Sequence, residues 1–201
     1  MLYAKYDHNE QYVDKYAKSP IFIYLFCHDD LDEGYRSIIY RDYLRAFMFE
    51  LEQLLRRNII IELHYALPGF TDMTYTSAVG QERTTLDEVE EHARAFIGEN
   101  DLSYRATFRY GLITRDGFSS LTKGLGLEGG SFFMASLTGY QCIAHEIGHT
   151  FRATHEDAEV SFGIPPSQTY MHERNNPFYV KDYRYSDANR KRMADFLASE
   201  E

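Results

Sequence analysis

Residues 145–157 read HEIGHTFRATHED, in which His145 and His149 stand four residues apart and Glu146 follows the first of them. On a helix of 3.6 residues per turn, side chains at i and i+4 lie ~40° apart and one turn along the axis, so both imidazoles can reach one cation. Glu146 is offset by ~100°, which suits a base leaning over an open coordination position where a zinc-bound water would sit. His155 comes six residues after His149, far enough for the helix to end and the chain to turn back with a third imidazole. Three neutral nitrogens plus water is the open tetrahedral pattern of catalytic zinc, whereas structural zinc takes four protein ligands, often cysteines. The chain has two cysteines, Cys27 and Cys142, and neither is spaced for that role. Tyr140, Ile143, Ala144, Ile147 and Phe151 fall nearly opposite the histidines, so the apolar stripe of this helix points away from the ligands.

The pattern resembles that of the metzincin metallopeptidases, HExxHxxGxxH followed downstream by a methionine-bearing turn. His145, Glu146, His149 and His155 match it, and Arg152 stands where the family has glycine. The family's glycine permits a left-handed backbone as the helix ends, a conformation that costs a non-glycine residue ~1–2 kcal/mol. Met171, in SQTYMHE, falls 16 residues after His155 and matches the methionine turn, which lies beneath the metal as an apolar floor. Tyr170 and His172 flank it as candidate cleft-lining residues. Glu156, after the third histidine, resembles the astacin choice, while the spacing to Met171 resembles the reprolysins.

The resemblance implies a zinc endopeptidase acting on protein or peptide substrates. One Zn2+ would lower the pKa of a water toward ~7, and Glu146 would take its proton and pass it to the leaving amine. Substrate would lie extended beside an exposed strand around Leu125 to Phe133. Two other readings stay open. A carboxylate, Glu173 or more weakly Asp157, would serve as third ligand in place of His155, or the fold would hold zinc only to recognise a partner. His28, His64 and His92 read as hydrogen-bonded or surface residues.

The elements that must position these groups follow from periodicity. The run IFIYLFC from Ile21 predicts a buried strand. A helix over Asp32 to Arg57 carries Ile39, Tyr43, Phe47, Leu51, Leu54 and Leu55 on one stripe. Ile59 to Leu67 alternates as a second strand, and residues 70–83 read as a loop. Thr85 and Glu88 form a capping box for a helix that Gly98 ends. Tyr104 to Leu112 alternates as a third strand with a polar face of Arg105, Thr107 and Arg109. Two short edge strands are expected between Gly117 and Ser136. Thr138 and Gln141 form the capping box of the HExxH helix, and Ser186 caps a last helix with Met193, Phe196 and Leu197 inward. The element order resembles the family's over most of residues 20–200: an α/β (α+β) catalytic domain with a twisted mixed sheet of about five strands, a long helix, an active-site helix and a C-terminal helix.

At 201 residues, with 44% hydrophobic and 15% aromatic content, the chain suits one packed domain, residues 1–19 forming a polar leader. A net charge of -10 makes a nucleic-acid partner a poor expectation. No window approaches the ~18 apolar residues of a membrane span, and the first twenty residues lack the apolar stretch of a signal peptide. A soluble protein of the cytoplasm or of a non-classical export route is therefore expected, its oligomeric state unspecified.

Overall fold

The computed structural model describes Tyr16, residues 18–172 and residues 178–200. The polar leader falls mainly outside the described residues, as does Glu173. In chain order the elements are β1 (Ile21–Cys27), α1 (Glu33–Ile38), a π-helical segment (Ile39–Leu44), α2 (Arg45–Leu55), β2 (Ile59–His64) and α3 (Glu82–Glu99). They continue with β3 (Phe108–Thr114), β4 (Gly124–Gly126), β5 (Phe132–Ser136), α4 (Cys142–Thr150), β6 (Val160–Ser161), β7 (Ser167–Gln168), β8 (Val180–Lys181) and α5 (Asp187–Ser199).

The main sheet has the order β2-β1-β3-β5-β4. The first four strands run parallel and β4 is antiparallel at the edge. Parallel strands must be covered on both faces, which is why β1 is apolar at every position. Ile21, Ile23, Leu25 and Cys27 join the core shared with α2, α4 and α5. Tyr24 and Phe26 join the opposite core under α3, with Phe70, Tyr75 and Phe118. On β5, Phe133 and Ala135 face the first core, and Phe132 and Met134 the second. The α4 helix packs on β4 and β5, while β6, β7 and β8 form a separate small sheet.

Several elements differ from the sequence-based expectation. The long helix is present but passes through a π-helical segment that directs the Tyr43 hydroxyl onto the Leu137 carbonyl, 3.1 Å away. The second strand stops at His64, ahead of Ala66 with its left-handed φ of 52°. The third strand starts at Phe108, four residues later than predicted. Of its predicted polar face, Arg105 is exposed and precedes the strand, while Arg109 is 1% exposed, beneath the end of α4. The helix predicted from Thr85 begins at Glu82, because Glu82 Oε1 accepts from Ser119 Oγ and Thr122 Oγ1 at 2.5 and 3.0 Å. That tertiary clamp starts the helix three residues early and leaves Thr85 buried inside it. The Thr138–Gln141 capping box does not form either, since Thr138 bonds Ser136 at 2.7 Å. Ser186 does cap α5, accepting from the Asn189 amide.

Gly111 on β3 lies beneath the ring of Phe133, where an added Cβ would fall 2.2 Å from the ring carbon Cζ. Phe133 is fully buried and has nowhere to move. Gly111→Ala is therefore expected to lower the unfolding free energy by about 1–3 kcal/mol, measured by urea titration.

Candidate metal centre

The α4 helix presents Ile143, Ala144 and Ile147 to the core and the two motif histidines to the opposite side. Phe151 is also buried, but Tyr140, expected on the same stripe, is 54% exposed because it precedes the helix. The helix ends in a reversal, in which the Arg152 amide bonds the His149 carbonyl at 2.8 Å and the Ala153 amide bonds the Gly148 carbonyl at 2.9 Å. Such a reversal needs one left-handed residue. Arg152 supplies it with φ 67°, at the strain cost that glycine would avoid.

The reversal brings three imidazoles together. The Nε2 atoms lie 3.2 Å apart for His145 and His149, 3.0 Å for His149 and His155, and 2.9 Å for His145 and His155. His145 Nδ1 is 2.8 Å from the Tyr170 carbonyl oxygen, and His149 Nδ1 is 3.0 Å from that of Ala153. A carbonyl only accepts, so each Nδ1 carries the proton and donates, leaving each Nε2 a bare lone pair. Those Nε2 atoms cannot hydrogen-bond each other. Burial holds the His145 imidazole down to about 3, and the adjacent His149 adds to the shift. Burial likewise holds His149 down to about 4, with His155 next in effect. Converging neutral lone pairs repel unless a cation lies between them. A tetrahedral ion with ~2.0–2.1 Å bonds to nitrogen needs nitrogens ~3.3 Å apart, close to the separations observed. The group His145, His149 and His155 can therefore hold a metal ion.

Glu146 is 7% exposed, and burial pushes its carboxyl up to about 8. The carboxylate lies against the sheet edge, since a Cβ on Gly124 would meet its Oε1 at 2.6 Å. A Cβ on Gly126 would meet the Glu146 backbone oxygen at 2.4 Å. Only glycines let β4 lie directly on the helix. The edge itself is Gly124–Gly126, while Phe132 and Phe133 sit on β5, between β3 and β4, so only the first part of the stretch from Leu125 to Phe133 is edge.

Met171 is fully buried, and its sulfur lies where a Cβ on Gly148 would approach to 2.5 Å. Gly148 stands between the two motif histidines, so its missing side chain admits the methionine under them. Tyr185 enters from the same side, donating from its hydroxyl to the Ala144 carbonyl at 2.5 Å. Tyr170, expected to line a cleft, is 2% exposed and reaches the site only through its backbone oxygen. His172 is half-buried and close enough to His145 to add to the lowering of its pKa. Asp157, weighed as a ligand, pairs with Arg192 at 2.7 Å. His28 bonds the Met73 carbonyl, His64 packs among Tyr24, Phe26 and Phe96, and His92 stacks on Phe70.

Three supports escaped sequence reasoning. Asn189 uses its amide like a strand partner, accepting from the Thr154 amide at 2.8 Å and donating to the Thr154 carbonyl at 3.0 Å. Buried Glu50 accepts from the Tyr185 amide and from Arg190 Nε, both at 2.9 Å. Arg109 donates to the Thr150 hydroxyl and carbonyl at 2.8 and 2.9 Å, with its guanidinium 4.0 Å from the Phe151 ring centre. A cation suits a helix C-terminus. Only the position of Asn189, three residues past a capping serine, carried any sequence signal.

No protein-family model and no curated protein matches the chain. The fold is similar to that of a solved structure, metalloproteinase-II from Bacteroides fragilis, with a TM-score of 0.65 and 16% sequence identity. The match covers 92% of this chain and 55% of that one, so the chain spans about half the length of its structural neighbour. At this identity the likeness is one of fold alone.

Metal-stripped protein titrated with Zn2+ is expected to gain thermal stability, corresponding to about 2.7 kcal/mol at a hundredfold excess over the dissociation constant. His155→Ala should abolish the gain and Glu173→Ala should keep it; the reverse pattern would transfer the third ligand to Glu173. Asn189→Ala strands two backbone groups beside His155, and should weaken Zn2+ binding about 10–100-fold by calorimetry.

Proposed function

We propose that this chain is a zinc-dependent endopeptidase of metzincin type. The observation that carries the proposal is the convergence of three imidazole nitrogens within 3.2 Å, at a helix whose buried glutamate lies against a sheet edge. His145, His149 and His155 would be the protein ligands, and an all-imidazole donor set suits Zn2+. Held there, the ion would supply Lewis acidity toward a carbonyl and a water.

The chain's own groups do the rest. Glu146 takes a proton from water as it adds to the scissile carbonyl, then gives that proton to the departing amine. Its burial under β4 limits competing solvent and favours the protonated form needed in the second step. The Tyr170 and Ala153 carbonyls keep the ligating tautomers. Met171 forms the floor under the ligands, and His172 lines the cleft. The outer side of β4, at the sheet edge, offers backbone groups to an extended peptide, which adds as a further strand. Protein or peptide substrates follow from this geometry.

Incubation with a mixed peptide library should give cleavage that a chelator stops and Zn2+ restores. Glu146→Gln should retain stoichiometric zinc yet lose activity by about 10²–10⁴-fold. Stoichiometric zinc without chelator-sensitive cleavage in the unmodified protein would replace the peptidase reading with a zinc-bearing recognition module.

A further inference from the structure

Behind the metal centre, at the C-terminal end of α4, lies a cavity of about 180 Å3 whose lining includes Arg109, Arg152, Ser131 and Glu200. Among the described residues neither guanidinium makes an ion pair at contact distance, and the nearest negative influence on Arg109 is the longer-range field of Glu200 on the same wall. Arg109 has five N–H donors. Four are used: Nε on the Thr150 hydroxyl, Nη1 on the Ala106 and Phe108 carbonyls, and Nη2 on the Thr150 carbonyl. The fifth, on Nη2, meets no acceptor among the described residues, in a side chain only 1% exposed. Arg152 lies over the Phe196 ring at 5.0 Å and makes no hydrogen bond there. The Ser131 hydroxyl likewise donates to nothing among the described residues.

We infer that this cavity is a binding site for a small oxyanion, a phosphate or a carboxylate, separate from the metal. A buried guanidinium with a spare donor is costly unless an acceptor arrives, and a second guanidinium on the same wall suits one negative charge shared between them. The volume, about six times the ~30 Å3 share of a water molecule, admits an oxyanion with a water or two and excludes a folded partner. An adjoining cavity of about 360 Å3 also has an arginine, Arg94, but that cation is already neutralised by Glu90 at 2.6 Å. The smaller cavity is therefore the anion seat. Glu200, on its wall, opposes a bound anion and sets the affinity low.

Inorganic phosphate and acetate, titrated into the zinc-loaded and the zinc-stripped full chain at constant ionic strength, test the site by calorimetry. Saturable binding with a dissociation constant on the order of millimolar is expected, unchanged by removing zinc. Arg152→Gln should weaken it at least tenfold, and Glu200→Gln should tighten it about fivefold, both variants retaining the parent's thermal midpoint within a few degrees. Phosphate binding tighter than acetate assigns phosphoesters as the ligand class, and the opposite order assigns carboxylates. Absence of saturable binding by either anion, equal affinity in Arg152→Gln, or binding that disappears with zinc would overturn the inference.

Discussion

Three nitrogen lone pairs held within 3.2 Å of one another form an arrangement that a folded chain reaches only by force. Each imidazole must be neutral, the correct tautomer, and locked against rotation. Two backbone carbonyls do this for His145 and His149 by accepting hydrogen bonds from their Nδ1–H groups. Both carbonyls come from loops outside the helix, so the arrangement of the candidate metal site exists only while those loops are in place. Burial works in the same direction, since it disfavours the charged imidazolium that could not bind a cation.

The loops are held in turn by groups remote in sequence. Thr154, one residue before the third histidine, is gripped at both backbone atoms by Asn189 of α5. The Tyr170 amide bonds the Arg184 carbonyl, and the next residue, Tyr185, is fixed by Glu50 of α2 and by its own hydroxyl under α4. Glu50 is buried and its carboxylate is paired by the partly exposed Arg190, so removing the arginine would leave a buried charge without its counter-ion. The helix pair α2 and α5 thus acts as a frame, and α4 hangs between it and the sheet. Gly148 on one side, and Gly124 and Gly126 on the other, allow the close approaches on which that suspension depends.

The strain at Arg152 belongs to the same economy of space. A left-handed arginine costs more than glycine, but the turn there is enforced by two backbone hydrogen bonds and by Ala153 being fully buried. Its side chain is then delivered to the rear of the helix, beside Arg109. The C-terminal end of α4 consequently faces positive charge, while its middle carries the two motif histidines and, at Glu146, a carboxyl group.

Much of this was legible from residue spacing. The four-residue step from His145 to His149, the apolar stripe at Ile143, Ala144 and Ile147, the all-apolar run of β1 and the serine cap at Ser186 are short-range patterns. Helix and strand periodicity encode such patterns directly. Where α3 begins was not legible, because Glu82 is held by Ser119 and Thr122, nearly forty residues away. Nor was the fate of Arg109, whose alternation with apolar neighbours reads as a solvent face until α4 is laid across it. By itself the sequence determined which residues can meet on one helix face. The spacing from His149 to His155 also offered a third imidazole, but tertiary structure alone decided that Tyr170 contributes a carbonyl rather than a ring and that a cation sits behind the helix, because each depends on contacts between segments with no fixed separation along the chain.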